Sequence, residues 1–136
     1  MKIIHFLRIL PLLGFTVCAY AAEYCPAVDA IQYDIQTSEF KNTTGDISWT
    51  SAVTPVSDPI PALTFLMAVA NGSVNKAIVS CAYTDGNNNF MMKTTDKTFT
   101  IDPKQWIEGI EKLYYCQKSI RACSFFLNTA AEKNKT

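Results

Sequence analysis

The sequence predicts a mainly β domain with one short helix, an α+β fold built on an antiparallel meander and stapled by two disulfides. Three observations carry this expectation. Short runs of alternating apolar and polar residues recur, Asn-Gly and Asp-Gly turn signals separate them, and four cysteines follow an N-terminal export signal.

Residues 31–36, Ile-Gln-Tyr-Asp-Ile-Gln, alternate with the period of a half-buried strand, and Ile47-Ser48-Trp49-Thr50 alternates again. Between them, residues 37–46 are polar, carry Gly45 and read as a loop. Pro55, Pro59 and Pro61 mark the next stretch as an extended connector, because proline cannot donate to a sheet ladder. An apolar run over residues 63–70 closes on Asn71-Gly72-Ser73. A second strand, over residues 74–84, closes on Asp85-Gly86 and three asparagines, and Phe90-Met91-Met92 follows. Joined by hairpin turns, these three segments form a meander. Residues 98–101 add a short strand.

Asp102-Pro103-Lys104-Gln105 then has the arrangement of a helix start, with a capping aspartate, proline at the first helical position and glutamine three residues after the cap. Trp106, Ile107, Ile110, Leu113 and Tyr114 fall at helical spacing, so the expected helix runs from Asp102 toward Tyr115. Gly109 costs about 1 kcal/mol in such a helix, and Tyr114-Tyr115-Cys116 suits a strand. Residues 123–127 read as the last strand and residues 128–136 as a polar tail.

Lys2 and Arg8 precede an uncharged stretch of Leu, Ile, Phe and Val residues, and Ala19-Tyr20-Ala21 places small residues where a signal peptidase requires them. The expectation is a signal peptide over residues 1–21, cleaved between Ala21 and Ala22. Pro11 and Gly14 weaken the segment as a lasting helix, and it is shorter than the ~20 residues of a membrane span. Val17, next to Cys18, lacks the small side chain of a lipidation site. Removing 21 residues from 136 leaves 115, a single domain able to bury roughly two-thirds of its unfolded surface.

Of 12 basic and 12 acidic residues, only Lys2 and Arg8 leave with the signal, so the mature chain is slightly acidic. Nothing in this balance provides the basic footprint that nucleic acid or an anionic membrane requires. Cys18 also leaves, and Cys25, Cys81, Cys116 and Cys123 remain as an even set in an exported chain. Four cysteines allow three connectivities. Cys116–Cys123 is favoured by proximity, which leaves Cys25–Cys81 to tie the mature N-terminus to a central strand.

The only histidine, His5, lies inside the signal. Histidine-dependent hydrolase chemistry and histidine-based zinc sites are therefore excluded from the mature chain, and no cofactor is implied. Asp85, Asn87 and Asn89 repeat the first half of a calcium loop, but Phe90 and Asp96 stand where its glycine and glutamate belong; a hairpin turn explains the same residues. Glu108 and Glu111 read as a solvated helix face rather than an acid/base pair. Asn42, Asn71 and Asn134 open glycosylation sequons, which matter only in a eukaryotic host.

An ordered set of landmarks remains: Cys25-Pro26, Trp49, Cys81-Ala82-Tyr83, Trp106, Tyr115-Cys116 and Cys123-Ser124-Phe125. This set resembles a family of small exported bacterial domains of the EirA type, although Ala82 and Ser124 replace a tyrosine and a proline of its pattern. The resemblance implies a periplasmic, non-enzymatic accessory role beside a Dot/Icm-type type IV secretion system, and it supplies no catalytic residues. The expected partners are envelope proteins, secretion-system subunits among them, or a second copy of the chain. Trp49, Phe90, Met91, Met92 and Phe125 are the first candidate anchors wherever the fold leaves them exposed. A small secreted enzyme or enzyme inhibitor, using carboxylates or a strand edge, is the alternative.

Overall fold

Runs of alternating residues, each closed by a turn, fold into one branched antiparallel sheet. The computed structural model describes residues 21–52 and 62–129. Its strands are β1 (Ala22–Glu23), β2 (Gln32–Asp34), β3 (Glu39–Thr44), β4 (Ile47–Ala52), β5 (Thr64–Ser73), β6 (Lys76–Thr84), β7 (Asn89–Lys93), β8 (Phe99–Thr100), β9 (Ile107–Glu108), β10 (Leu113–Cys116) and β11 (Phe125–Leu127). Single 3-10 turns occur at Val28–Ala30 and Ile120–Ala122. The expected signal, the proline-rich connector over residues 54–61 and most of the polar tail lie outside the described residues.

The expected meander is present as β5, β6 and β7. β6 is the hub of the sheet: β5 lies along one edge, and β8 and then β7 along the other. From it, one arm runs β8–β11–β1, a second runs β7–β4–β3–β2, and a third runs β5–β10–β9. In β4 the alternation is complete, with Ile47, Trp49 and Ser51 buried and Ser48, Thr50 and Ala52 exposed. Trp49 crosses to the other arm, stacking on Phe99 with ring centroids 6.4 Å apart and meeting Phe125 edge-on at 6.0 Å. The second arm is thus folded over the first, and Phe40, Ile47, Val79, Tyr83, Met92 and Ile101 fill the space between them.

The two disulfides have the expected pairing. Cys25–Cys81 fastens the segment after β1 to the middle of β6, and Cys116–Cys123 joins the end of β10 to the approach to β11. The Tyr83 hydroxyl donates to the Pro26 carbonyl beside the first bridge. Its phenol is pushed above its ordinary pKa because burial disfavours the phenolate.

Three local expectations are corrected. Residues 39–44, read as loop, form β3, paired to β2 on one side and β4 on the other. Only Phe40 of that strand is buried, so its composition is polar although its backbone is fully in the ladder. The turn expected at Asn71-Gly72-Ser73 lies two residues later, at Val74-Asn75, because β5 continues to Ser73. Gly72 serves a close approach instead. A Cβ there would sit 2.7 Å from the Lys76 carbonyl oxygen, at φ +121.

The expected helix is the third correction. Asp102 does start a turn, with its carboxylate accepting from the Lys104 N–H at 2.9 Å and its carbonyl from the Gln105 N–H at 2.9 Å. The chain then leaves helical geometry and forms the β9–β10 hairpin. Glu111 and Lys112, at φ +54 and +61, are the central residues of a turn closed by the Leu113 N–H donating to the Ile110 carbonyl. Two successive positive φ values are the mark of a type I′ hairpin turn. Pairing of Leu113–Cys116 with β5 supplies the backbone bonds that a helix would otherwise have made locally.

The Asp85 loop is a turn held by its own aspartate, whose carboxylate accepts from the Asn87 and Asn88 N–H groups at 2.8 and 2.7 Å. These bonds hold its pKa below the ordinary 3.8. A carboxylate with a depressed folded-state pKa stabilises the fold above its unfolded value and loses that contribution as pH falls through the folded one. An Asp85→Asn variant should therefore be less stable than the parent at pH 7, with the gap closing as pH falls below 3.8. Urea midpoints at pH 7 and at progressively lower pH would check this, and a gap that widens on acidification would contradict it.

Candidate interaction surface

Strand alternation places Val69, Ile78 and Tyr115 on the face opposite the core. Register lines up Ile107, Tyr115, Val69 and Ser80 across β9, β10, β5 and β6, with Leu113, Asn71 and Ile78 forming the next row. Met91 faces the same way through its pairing with Ala82, which itself pairs with Met67. The outer face is therefore apolar over much of its width.

Two large apolar side chains are exposed together on the β9–β10 hairpin, Ile107 at 66% and Ile110 at 75%; Ile78 on β6 is 54% exposed. The hairpin is firmly held. Its tip is tied to β5 by the Gly72 N–H donating to the Lys112 carbonyl at 3.0 Å, and its base by the Cys116–Cys123 bridge. Gly109 leaves room for the Tyr115 ring, since a Cβ there would lie 2.5 Å from Tyr115 Cε2. Covering a hairpin glycine with a cross-strand aromatic ring restores packing that the glycine lacks. Beneath the hairpin, Trp106 points inward and donates through Nε1 to the Ser124 carbonyl at 3.2 Å.

The structure therefore redistributes the candidate anchors. Trp49, Met92 and Phe125 are core residues, and Phe90 is buried between Phe40 and Tyr83. Met91 alone of the five reaches the surface to an intermediate degree. Ile107 and Ile110 were missed because their spacing assigns them to the buried stripe of a helix. Gly109, followed by the strand-forming Tyr114-Tyr115-Cys116, is the signal that separates the two readings.

Glu108 and Glu111 do not share a helix face: one lies in β9 and the other in the turn. No cluster of three or more His, Cys, Asp or Glu side chains that could hold a metal occurs among the described residues. No helix among them is long and apolar enough to cross a membrane.

These features define a disulfide-stapled, antiparallel β domain with two exposed isoleucines on a hairpin fastened at its tip and base. The chain belongs to the family described as "Protein of unknown function (DUF3757)", which matches residues 20–126. No curated protein and no solved structure matches it.

Proposed function

We propose that this chain is an exported binding module acting through protein–protein contacts, with the β9–β10 hairpin and the adjoining outer sheet face as its docking surface. The observation that carries the reading is the exposure of Ile107 and Ile110 on a hairpin fastened at both ends. Apolar anchors held in place before binding lose little entropy on association. In this reading, residues 1–21 direct export and are removed between Ala21 and Ala22. The two disulfides support an oxidising compartment such as the periplasm.

The partner is an envelope protein. The resemblance to EirA-type domains makes subunits of a Dot/Icm-type type IV secretion system the first to test, and no enzymatic activity is assigned. N-terminal sequencing of protein from the envelope fraction should return Ala22 as the first residue; recovery of Met1 would show that the signal is retained.

An Ile107→Asp/Ile110→Asp variant should capture its envelope partner at least ten-fold less well, a loss of about 1.4 kcal/mol. Its urea midpoint should stay close to the parent value because both side chains are exposed. The readout is quantitative recovery of secretion-system subunits from detergent-solubilised envelope on immobilised parent and variant. Undiminished capture by a folded variant would remove the hairpin from the docking surface. A folded Glu108→Ala, Glu111→Ala or Tyr115→Ala variant that retains capture yet fails to complement a deletion strain would favour an enzyme.

A further inference from the structure

β4 and β7 are neighbours in the sheet, yet they share a single pair, Thr50 with Lys93. On their far sides both are fully occupied. β4 pairs with β3 along all six residues, and β7 pairs with β6 along all five. Beyond Thr50 and Lys93 the two strands diverge, so Ser51 and Ala52 on one side face Asn89–Met92 on the other without pairing. A cleft of 690 Å³ occupies the gap, within the ~300–1,000 Å³ of ligand sites.

Its walls are strand edges, and an unpaired edge is a template for an added strand. Its floor is apolar, formed by Phe40 and Phe90 stacked with centroids 4.6 Å apart. Its charges are segregated. Lys93 stands at the closed end, beside the last shared pair, whereas Glu39 and Asp85 line the open end. Asp85 stays ionised at neutral pH, because the turn amides hold its pKa low.

We propose that this cleft binds an extended peptide segment of a partner protein, inserted as a strand between β4 and β7. The proposal rests on the reading of the chain as a binding module and adds a second contact, separate from the β9–β10 hairpin. From Asn89 to Lys93 the wall spans four residue steps, about 13 Å of strand. The complementary segment therefore carries a carboxylate that meets Lys93 and, roughly four residues away, a basic side chain lying between Glu39 and Asp85. Small or β-branched side chains between them pack on the Phe40–Phe90 floor.

The test uses the mature domain and two synthetic hexapeptides of alternating valine and threonine. One ends in a free carboxylate with a lysine four residues upstream. The other carries glutamate in place of that lysine. Titration followed by backbone amide shifts should show saturable binding of the first peptide, with the largest changes at Ser51, Ala52, Phe90 and Met91. The second should bind at least ten-fold more weakly. Lys93→Glu should weaken binding of the first peptide at least ten-fold while leaving the remaining amide spectrum unchanged.

Absence of saturable shifts with either peptide, equal binding of both, or shifts confined to Ile107–Leu113 would each overturn the cleft proposal. Ile107→Asp/Ile110→Asp should leave peptide binding in the cleft intact. Loss of envelope capture in that variant with peptide binding retained, or the converse, tells failure of one surface from failure of the other.

Discussion

Replacing Trp49 with alanine should destabilise the domain by about 3–5 kcal/mol, the range for deleting a large aromatic side chain from a packed core. Trp49 is 1% exposed and is the side chain that joins the two arms, against Phe99 and Phe125. Its removal opens a cavity between the two layers. Small domains have only about 5–15 kcal/mol of net stability, so the variant should sit close to its unfolding threshold at 25 °C. Urea denaturation of the oxidised protein gives the measurement, with Trp49→Phe as the graded control that refills part of the space. A Trp49→Ala midpoint no lower than that of a variant at exposed Ile35 would show that the arms are not packed as described.

Loss of the Cys25–Cys81 bridge should be nearly as severe, and more severe than loss of Cys116–Cys123. Their sequence separations are 56 and 7. By chain entropy the long loop contributes about 4 kcal/mol and the short one about 2.5 kcal/mol. Both bridges are buried, so it is placement that adds to the contrast. Cys81 lies in the central strand at 0% exposure, and the Tyr83–Pro26 hydrogen bond depends on the same N-terminal segment being held down. Comparing Cys25→Ser/Cys81→Ser with Cys116→Ser/Cys123→Ser in urea, at equal pH and salt, should rank them in that order. The short bridge has a separate consequence. It anchors the base of the exposed hairpin, so its loss should weaken partner capture more than its stability cost predicts. Equal capture by that double variant and the parent would show that the bridge does not preorganise the hairpin.

The hairpin also marks where local reading of the chain fails. Asp102, Pro103 and Gln105 are a good helix start, and the structure does place a turn there. What ends it is β5, whose second edge is open to pairing and takes Leu113–Cys116. A helix needs only its own residues, but a ladder needs a partner some forty positions away, and no window of sequence around Trp106 contains that partner. For the same reason, Ile107 and Ile110 read as core and emerge as surface. Residues 39–44 show the opposite error. Their polarity suggests a loop, yet all six pair with β4 and the first three with β2 as well, leaving the side chains free to be hydrophilic.

Where structure depends on neighbours in sequence, the chain by itself was sufficient. The alternation in Ile47–Ala52, the turn chemistry of Asp85-Gly86 and the apolar runs on either side of Val74-Asn75 determine β4 and the β5–β6–β7 meander. The number and spacing of the cysteines led to the two bridges that form. Tertiary structure decided what depends on burial and on distant edges. It sent Trp49, Met92 and Phe125 inward, turned an apparent helix into the β9–β10 hairpin, and parted β4 from β7 to open a cleft. The physical reason is that hydrophobicity marks a residue as costly to expose, but only the packed arrangement of all the strands determines which such residues remain exposed.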